Sequence, residues 1–239
     1  MSLETRIKLG NVTPARRRLA AATGQVSVPV IPTSHYWATS SENFPMYGNV
    51  AYGDCSCASV GHMIEIWCAN NGSVYLPTLA DIVHVYKSTP DAGGGGRDQV
   101  VVLDFVKNHG IGSKQLHKIY WREVAPTRDS VRQTTYFLGG GCVVTLNLPN
   151  SVKTGRTWRV SSTNSTPGGF GSHSVDVVGY GPNGVVVCSW GQLIPMTWGF
   201  YDKYVEQVFA VLGWDWMGAD GNSPLGHSWK ELALQFGIE

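Results

Sequence analysis

The chain has 239 residues, of which 43% are hydrophobic and 15% charged, with a formal net charge of +1. This composition excludes an intrinsically disordered chain, and the near-zero charge argues against nucleic-acid binding by the body of the chain. No hydrophobic run reaches the roughly 18 residues of a membrane span, and the polar start from Met1 to Thr13 lacks the apolar stretch of a secretion signal. We therefore expect a globular protein with neither membrane contact nor a secretion signal.

The cysteines indicate a reducing compartment. There are five, at positions 55, 57, 68, 142 and 188, and both the odd number and the irregular spacing are atypical of a disulfide framework. A free thiol at the start of a helix is then a candidate nucleophile.

The chain begins with a basic segment. Residues 1–25 carry five Lys and Arg side chains against Glu4 alone, which predicts a solvated or docking arm more than a contact to a polyanion. We expect one folded domain over residues 26–213 and a tail with a short helix over 214–239. The arm and the tryptophan-rich tail, which contains Trp214 and Trp216, are candidate contacts for protein partners in an assembly.

The first half of the chain shows the sequence pattern of helices. Asp54 is a typical helix N-cap, and Asn71-Gly72 is a typical helix end. Within this helix one buried stripe is predicted at residues 57, 60, 64 and 67. Further helices are predicted over 79–87 and 99–108, with the glycine-rich loop Gly93 to Gly96 between them.

The second half changes to the pattern of strands. Strands are predicted over 141–148, 173–180 and 184–189, and the last two are joined by a tight turn at 181–184. Residues 200–212 fit either a helix or a strand, and a closing amphipathic helix is predicted over 229–236. Helices followed by strands predict an α+β protein with two lobes, a helical one at about 50–125 and an antiparallel β lobe at about 130–213.

Three features point to thiol chemistry. Cys55 follows the predicted cap, where the helix dipole and unpaired N–H groups favour the thiolate. His173 begins a later strand and can act as the base and acid that a nucleophilic thiol needs. An aromatic turn, Ser189-Trp190-Gly191, follows the next strand.

These segments resemble, in order, the papain-like cysteine peptidases. Tyr52-Gly-Asp-Cys-Ser-Cys-Ala-Ser59 is similar to the nucleophile segment, Gly171-Ser-His-Ser-Val-Asp-Val-Val-Gly-Tyr-Gly181 to the histidine segment, and residues 189–191 to the Ser-Trp-Gly turn. The resemblance implies a two-lobe fold with the cleft between the lobes. It also implies site residues: Cys55 as nucleophile, His173 as base, Asn49 at the oxyanion hole, Gly95 and Gly96 along the substrate backbone, and Trp190 at the leaving-group side.

The chain also resembles uncharacterised bacterial and phage proteins. The shared features are a Gly-Asn-x-x-x-Gly-Asp-Cys start, here residues 48–55, and a Met-Thr-Trp segment, here residues 196–198. This second resemblance carries no established activity. From the cysteines, the basic arm and the tryptophan-rich tail we expect a cytoplasmic or virion-associated protein.

One position departs from the papain-like pattern. The family has an Asn before Ser-Trp-Gly that orients the catalytic His, whereas this chain has Cys188. A thiol is a poor hydrogen-bond acceptor, so the imidazole would be held less firmly. Asp176 is the nearest charged alternative, but residues 173 and 176 point to opposite faces of a strand. The departure predicts weak activity, with another group fixing the ring.

Several alternatives stay open at this point. Cys55 can be a buried structural cysteine, and Cys57 is interpreted as core. A metal site from residues 55, 57, 62 and 68 matches no usual zinc spacing, and the Gly93–Gly96 loop lacks the Gly-Lys-Ser/Thr ending of a phosphate loop. We expect a thiol-dependent hydrolase of peptides or related amides that needs no cofactor or metal. The alternatives are a non-catalytic structural or binding protein, such as a virion component, and an acyltransferase that uses the same Cys-His pair.

Overall fold

The computed structural model describes residues 30–38, 44–73, 75–112, 117–154 and 156–238, so the predicted arm at 1–25 lies outside the described residues. Three helices lead the chain: α1 (Cys55–Asn71), α2 (Leu79–Ser88) and α3 (Gln99–His109). All three were predicted, and their bounds differ from the prediction by at most one residue. Helix α1 ends at Gly72 in the left-handed conformation, while Thr78 and Asp81 form a capping box on α2.

Helix α1 is central. Every residue from Cys55 to Cys68 is buried, so the prediction of a single buried stripe is wrong. The helix contacts α2, α3 and the sheet, which cover it on more than one side. A helix that is covered all round needs no amphipathic pattern.

A seven-stranded sheet forms most of the second half. In chain order its strands are β1 (His35–Tyr36), β2 (Ile119–Val124), β3 (Cys142–Leu148), β4 (Gly171–Gly181), β5 (Gly184–Ser189), β6 (Gln192–Thr197) and β7 (Val205–Gly213). The order across the sheet is β2-β7-β3-β4-β5-β6, with β1 added to β4, and all of these pairings are antiparallel. The predicted mixture of helices and antiparallel sheet is confirmed.

The remaining helices and strands agree with the sequence-based prediction only in part. Helix α4 (Arg128–Phe137) and strands β1, β2 and β6 were not predicted. The ambiguous stretch 200–212 divides into helix α5 (Trp198–Tyr204) and strand β7, and the closing helix α6 (Trp229–Phe236) lies where it was expected. Strand β2 falls within the range predicted for the helical lobe but pairs with β7. The division into lobes stays a prediction.

The register of β4 decides which side chains meet. Asp176 pairs with Val143 of β3 and Cys188 of β5, and these two partners belong to the core cluster that contains α1. His173 pairs with Leu146, which belongs to the second core cluster. Because side chains alternate along a strand, residues 173 and 176 lie on opposite faces of the sheet.

The tail packs onto the first core cluster. Trp216 is fully buried there, as is Leu232 of helix α6. Trp214 stacks on Trp229 with ring centroids 4.3 Å apart. None of the helices in the described part of the chain is both long and apolar enough to span a membrane.

Candidate active site

The start of α1 carries the candidate nucleophile. Cys55 is the first residue of the helix, and the carbonyl of Asp54 accepts hydrogen bonds from the amides of Cys57 and Ala58. The Asp54 side chain stands at the N-cap position but caps no helix amide. Its Oδ2 instead accepts a hydrogen bond of 2.9 Å from the amide of Gly48. The carboxyl group therefore holds the preceding loop against the helix start.

That loop carries Asn49. Asn49 is 2% exposed, and its Nδ2 donates a hydrogen bond of 2.9 Å to the carbonyl of Met46. A second bond to the same carbonyl comes from the Asn49 backbone amide at 3.2 Å. The side chain is thus fixed six residues before Cys55.

The glycine loop lies beside the helix start. Gly96 forms a parallel β-bridge with Gly53, and Ser56 of the first helical turn donates its Oγ hydrogen to the carbonyl of Arg97 at 2.6 Å. Tyr86 donates its hydroxyl hydrogen to the carbonyl of Gly95 at 2.7 Å. The structure therefore brings the predicted substrate glycines next to the nucleophile segment.

Arg97 stabilises this loop through hydrogen bonds to backbone carbonyls. Its guanidinium is buried, lies 3.8 Å from the centroid of the Tyr86 ring, and donates hydrogen bonds to the carbonyls of Tyr86 and Gly96 at 2.8 and 2.9 Å. The spacing of residues in the sequence did not identify Arg97 or Tyr86, because both act through backbone carbonyls that only the fold brings within reach.

His173 is held on two sides. Its Nε2 lies 2.8 Å from the Oγ of Ser189, and its ring stacks on Trp190 with centroids 4.7 Å apart and planes at 27°. A third aromatic ring, Trp158, meets the imidazole edge-on with centroids 6.3 Å apart. The Nδ1 of His173 makes no hydrogen bond with the described residues. One ring nitrogen is therefore anchored, and the other is buried without a hydrogen-bond partner among the described residues.

Ser189, and not Cys188, is the group that contacts the imidazole. Cys188 pairs with Asp176 and lies in the core cluster on the α1 side, whereas His173 is on the other face of the sheet. The interpretation of Cys188 as the orienting position followed from its place directly before Ser-Trp-Gly. The alternation of side chains along β5 turns residue 188 away and residue 189 toward the ring.

Backbone strain marks the two segments that flank the site. Tyr47 and Trp190 have φ values of 47° and 53°, in the left-handed region that bulky residues rarely adopt. Tyr47 precedes Asn49 in its loop, and Trp190 is the residue stacked on His173. Strain of this kind persists only where the surrounding structure enforces it, so both segments are held in place by their neighbours.

The two segments meet. A Cβ added to Gly191 would lie 2.9 Å from the carbonyl oxygen of Phe44, and Met46 is the next neighbour. Since the carbonyl of Met46 binds Asn49, the turn after β5 and the loop before α1 lie side by side. The first turn of α1 also shares a core cluster with Cys188 of β5. Contacts therefore run from the histidine side of the sheet to the loop that leads into Cys55.

Burial controls the electrostatics of the site. Desolvation lowers the pKa of His173 to about 3, which keeps the imidazole neutral at ordinary pH. Desolvation also raises the pKa of Asp54 to about 7, against a smaller opposite effect of the hydrogen bond from Gly48. Asp176 is fully buried and its pKa is raised well above the usual range. Because Asp176 lies on the other face of the sheet, it cannot orient His173.

Two further residues singled out in the sequence are structural. Cys57 is fully buried, and burial raises the pKa of its thiol well above the usual value. The Nε2 of His62 lies 2.8 Å from the carbonyl oxygen of Pro45, and the ring packs between Phe44 and Tyr47. His62 thus supports the loop in front of α1.

Solved structures share this architecture at low sequence identity, while no family model and no curated protein sequence matches the chain. Xylellain, a cysteine protease from Xylella fastidiosa, superposes with a TM-score of 0.66 at 12% identity, over 87% of this chain and 96% of its own. The Carica candamarcensis cysteine protease CMS1MS2 gives a TM-score of 0.56 at 16% identity, over 77% and 98%. Procathepsin B S9 from Trypanosoma congolense gives 0.56 at 16%, over 88% and 87%. The fold is that of the papain-like cysteine proteases.

Proposed function

We propose that this protein is a thiol-dependent hydrolase of peptides or related amides, with Cys55 as nucleophile and His173 as acid–base group. The observation that supports it best is the setting of the imidazole. Ser189 anchors Nε2, Trp190 covers the ring, and Nδ1 has no hydrogen-bond partner among the described residues. A neutral imidazole that is held in place, with one ring nitrogen not engaged by the described residues, can act as a general base.

The proposed reaction uses the two groups in turn. His173 takes the proton of the Cys55 thiol, and the sulfur attacks the carbonyl carbon of the substrate. The C–N bond then breaks as His173 returns the proton to the leaving amine, which leaves a thioester on Cys55. Water, deprotonated by His173, attacks the thioester carbonyl, and the acid product and the thiol are released.

Negative charge develops on the carbonyl oxygen of the substrate during both attacks, and hydrogen-bond donors must stabilise it. Asn49 uses one Nδ2 hydrogen on the carbonyl of Met46, so the second can be donated to the oxyanion together with the backbone amide of Cys55. Donors that are already fixed act without reorganisation, and such donors commonly contribute the largest part of the rate. The main chain of Gly95 and Gly96 would bind the substrate backbone beside the nucleophile.

A thiol probe tests this proposal directly. The full chain is treated with iodoacetamide at neutral pH, and the labelled cysteines are identified by mass spectrometry. We expect selective labelling of Cys55, loss of that selectivity in His173→Ala, and little change in Cys57→Ala. Labelling spread over all cysteines, or labelling of Cys55 that does not depend on His173, would refute the proposal.

A second candidate is a structural or binding protein, such as a virion component, that keeps the fold without turnover. The burial of the site favours it, since Cys55 and His173 are each 1% exposed and Asn49 is 2% exposed. In that case iodoacetamide should not reach Cys55 in the folded chain but should label it after denaturation.

A further inference from the structure

Asp54 stands directly before the candidate nucleophile, but its side chain does not act as the caps of the other helices do. The N-cap side chains of α2, α3 and α4 each accept a hydrogen bond from an amide of their own helix. Such bonds satisfy the amides of a first helical turn. The Asp54 side chain caps no amide of α1, and its Oδ2 is used six residues earlier, on the amide of Gly48.

The contact between Asp54 and Gly48 is close and buried. A Cβ added at Gly48 would lie 2.4 Å from Oδ2 of Asp54 and 2.9 Å from the ring of Tyr52, so only glycine fits at position 48. Asp54 is fully buried, and bulk water cannot replace its carboxyl group as the acceptor. Loss of the carboxyl group would therefore leave the buried amide of Gly48 unpaired.

Hydrogen bonds of Gly48 fix the loop that carries Asn49. The carbonyl of Gly48 accepts hydrogen bonds from the amides of Ala51 and Tyr52, both at 2.8 Å, while its amide donates to Asp54. Val50 is 54% exposed and Ala51 is also exposed, so packing contributes little in the middle of this loop. The position of the loop therefore depends on the hydrogen bonds at Gly48.

The residue before Gly48 is strained. Tyr47 has a φ of 47°, a conformation that persists only where neighbouring groups enforce it. The Asp54 carboxyl group binds the N–H of the peptide that links Tyr47 to Gly48. Without that acceptor the peptide is free to turn and relieve the strain, and the adjacent Asn49 would move with it.

We infer that Asp54 is a positioning residue for the oxyanion hole, because its carboxyl group fixes the Gly48 amide and so holds the Asn49 side chain in place for the substrate oxygen. The inference rests on the proposed hydrolase function, in which Asn49 and the backbone amide of Cys55 are the donors. Asp54 itself acts only through the loop. A displacement of about 1 Å at a catalytic group can cost about 10²-fold in rate.

Two probes of Cys55 separate the oxyanion hole from the reactivity of the thiol. Iodoacetamide is attacked at a saturated carbon and loses iodide, so no oxyanion forms. With p-nitrophenyl acetate the sulfur attacks the carbonyl carbon, His173 takes the thiol proton, and negative charge develops on the carbonyl oxygen before the C–O bond breaks and p-nitrophenolate leaves. Both rates are measured on the full chain at neutral pH, and the rates of Cys55→Ala are subtracted.

The ratio of the acylation rate to the alkylation rate reports the oxyanion hole. We expect Asp54→Ala to lower this ratio about tenfold or more. Asp54→Asn keeps an acceptor for the Gly48 amide and should retain most of the ratio. The matched control is Thr127→Ala, which removes the side-chain cap of α4 and should leave the ratio unchanged. Thermal unfolding establishes that the compared proteins are folded.

A second variant reaches the same contact from the other side. Gly48→Ala places a Cβ against the Asp54 carboxyl group, so it should lower the ratio as well and replaces Asp54→Ala if that variant does not fold. A ratio within twofold of the wild type, or an equal fall in Asp54→Ala and Asp54→Asn, would overturn the inference alone. If the wild type shows no labelling of Cys55 that depends on His173, the hydrolase itself is refuted and the inference falls with it.

Discussion

Removal of the Ser189 hydroxyl is expected to impair His173 more than any change at Cys188. The Oγ of Ser189 lies 2.8 Å from Nε2, and the two residues are 3% and 1% exposed, so bulk water cannot take the place of the lost group. A buried polar atom without its partner costs about 1–3 kcal/mol. If that penalty falls on the productive orientation of the ring, Ser189→Ala lowers the rate roughly 5- to 150-fold.

The assay measures thiol reactivity, which needs no known substrate. The second-order rate constant for alkylation of Cys55 by iodoacetamide is determined by mass spectrometry from pH 5 to pH 9. Ser189→Ala should react more slowly near neutral pH, because a poorly held imidazole accepts the thiol proton less well. Ser189→Thr keeps the hydroxyl and should retain most of the rate.

Cys188→Ala is the matched control. It changes the adjacent residue on the opposite face of β5, so its effect should be a loss of stability with little change in the alkylation rate. A Ser189→Ala rate within twofold of the wild type would refute the reasoning, as would a larger loss in Cys188→Ala. Thermal unfolding of each variant establishes that the compared proteins are folded.

Three other substitutions have defined outcomes. Cys188→Asn, which the family pattern favours, should gain no activity and should lower the free energy of unfolding by about 1–3 kcal/mol in urea titrations, because it buries an amide in the core. Asp54→Asn keeps an acceptor for the amide of Gly48 but cannot ionise. The folded-state pKa of Asp54 is raised from 3.8 to about 7, so the ionised carboxyl destabilises the fold increasingly as pH rises from about 4 to 7. Urea titrations at several pH values should therefore show the variant gaining stability over the wild type by roughly 2–4 kcal/mol across that range, and a constant difference would contradict this. Gly139→Ala should lower the melting temperature by several degrees in calorimetry, because its Cβ would lie 2.3 Å from the buried Trp216 ring, and an unchanged temperature would contradict this packing.

Local chemistry in the sequence was enough to predict most of the helices and the longer strands. Asn71-Gly72 ends α1 where a left-handed residue is needed, and Gly181-Pro-Asn-Gly184 joins β4 to β5. These signals are local, since a cap or a tight turn is determined by a few neighbouring residues. The same holds for Cys55 at the start of α1, because the preceding residues favour a helix start there.

Tertiary structure decided the features that depend on long-range pairing. The sequence predicted a single buried stripe on α1, but a sheet and two helices cover it on more than one side. Strand β2 was missed because its stability comes from pairing with β7, which lies far along the chain.

The group that orients His173 shows most clearly the difference between what the sequence predicts and what the tertiary structure decides. The family pattern assigned the orienting position to Cys188, because this residue directly precedes Ser-Trp-Gly. A shift of one residue along a strand exchanges its faces, and only the register between β4 and β5 determines which side chain meets the ring. Sequence therefore determined which residue types the site contains, whereas the sheet register determined that the Ser189 hydroxyl contacts the imidazole and that Cys188 packs toward the core around α1.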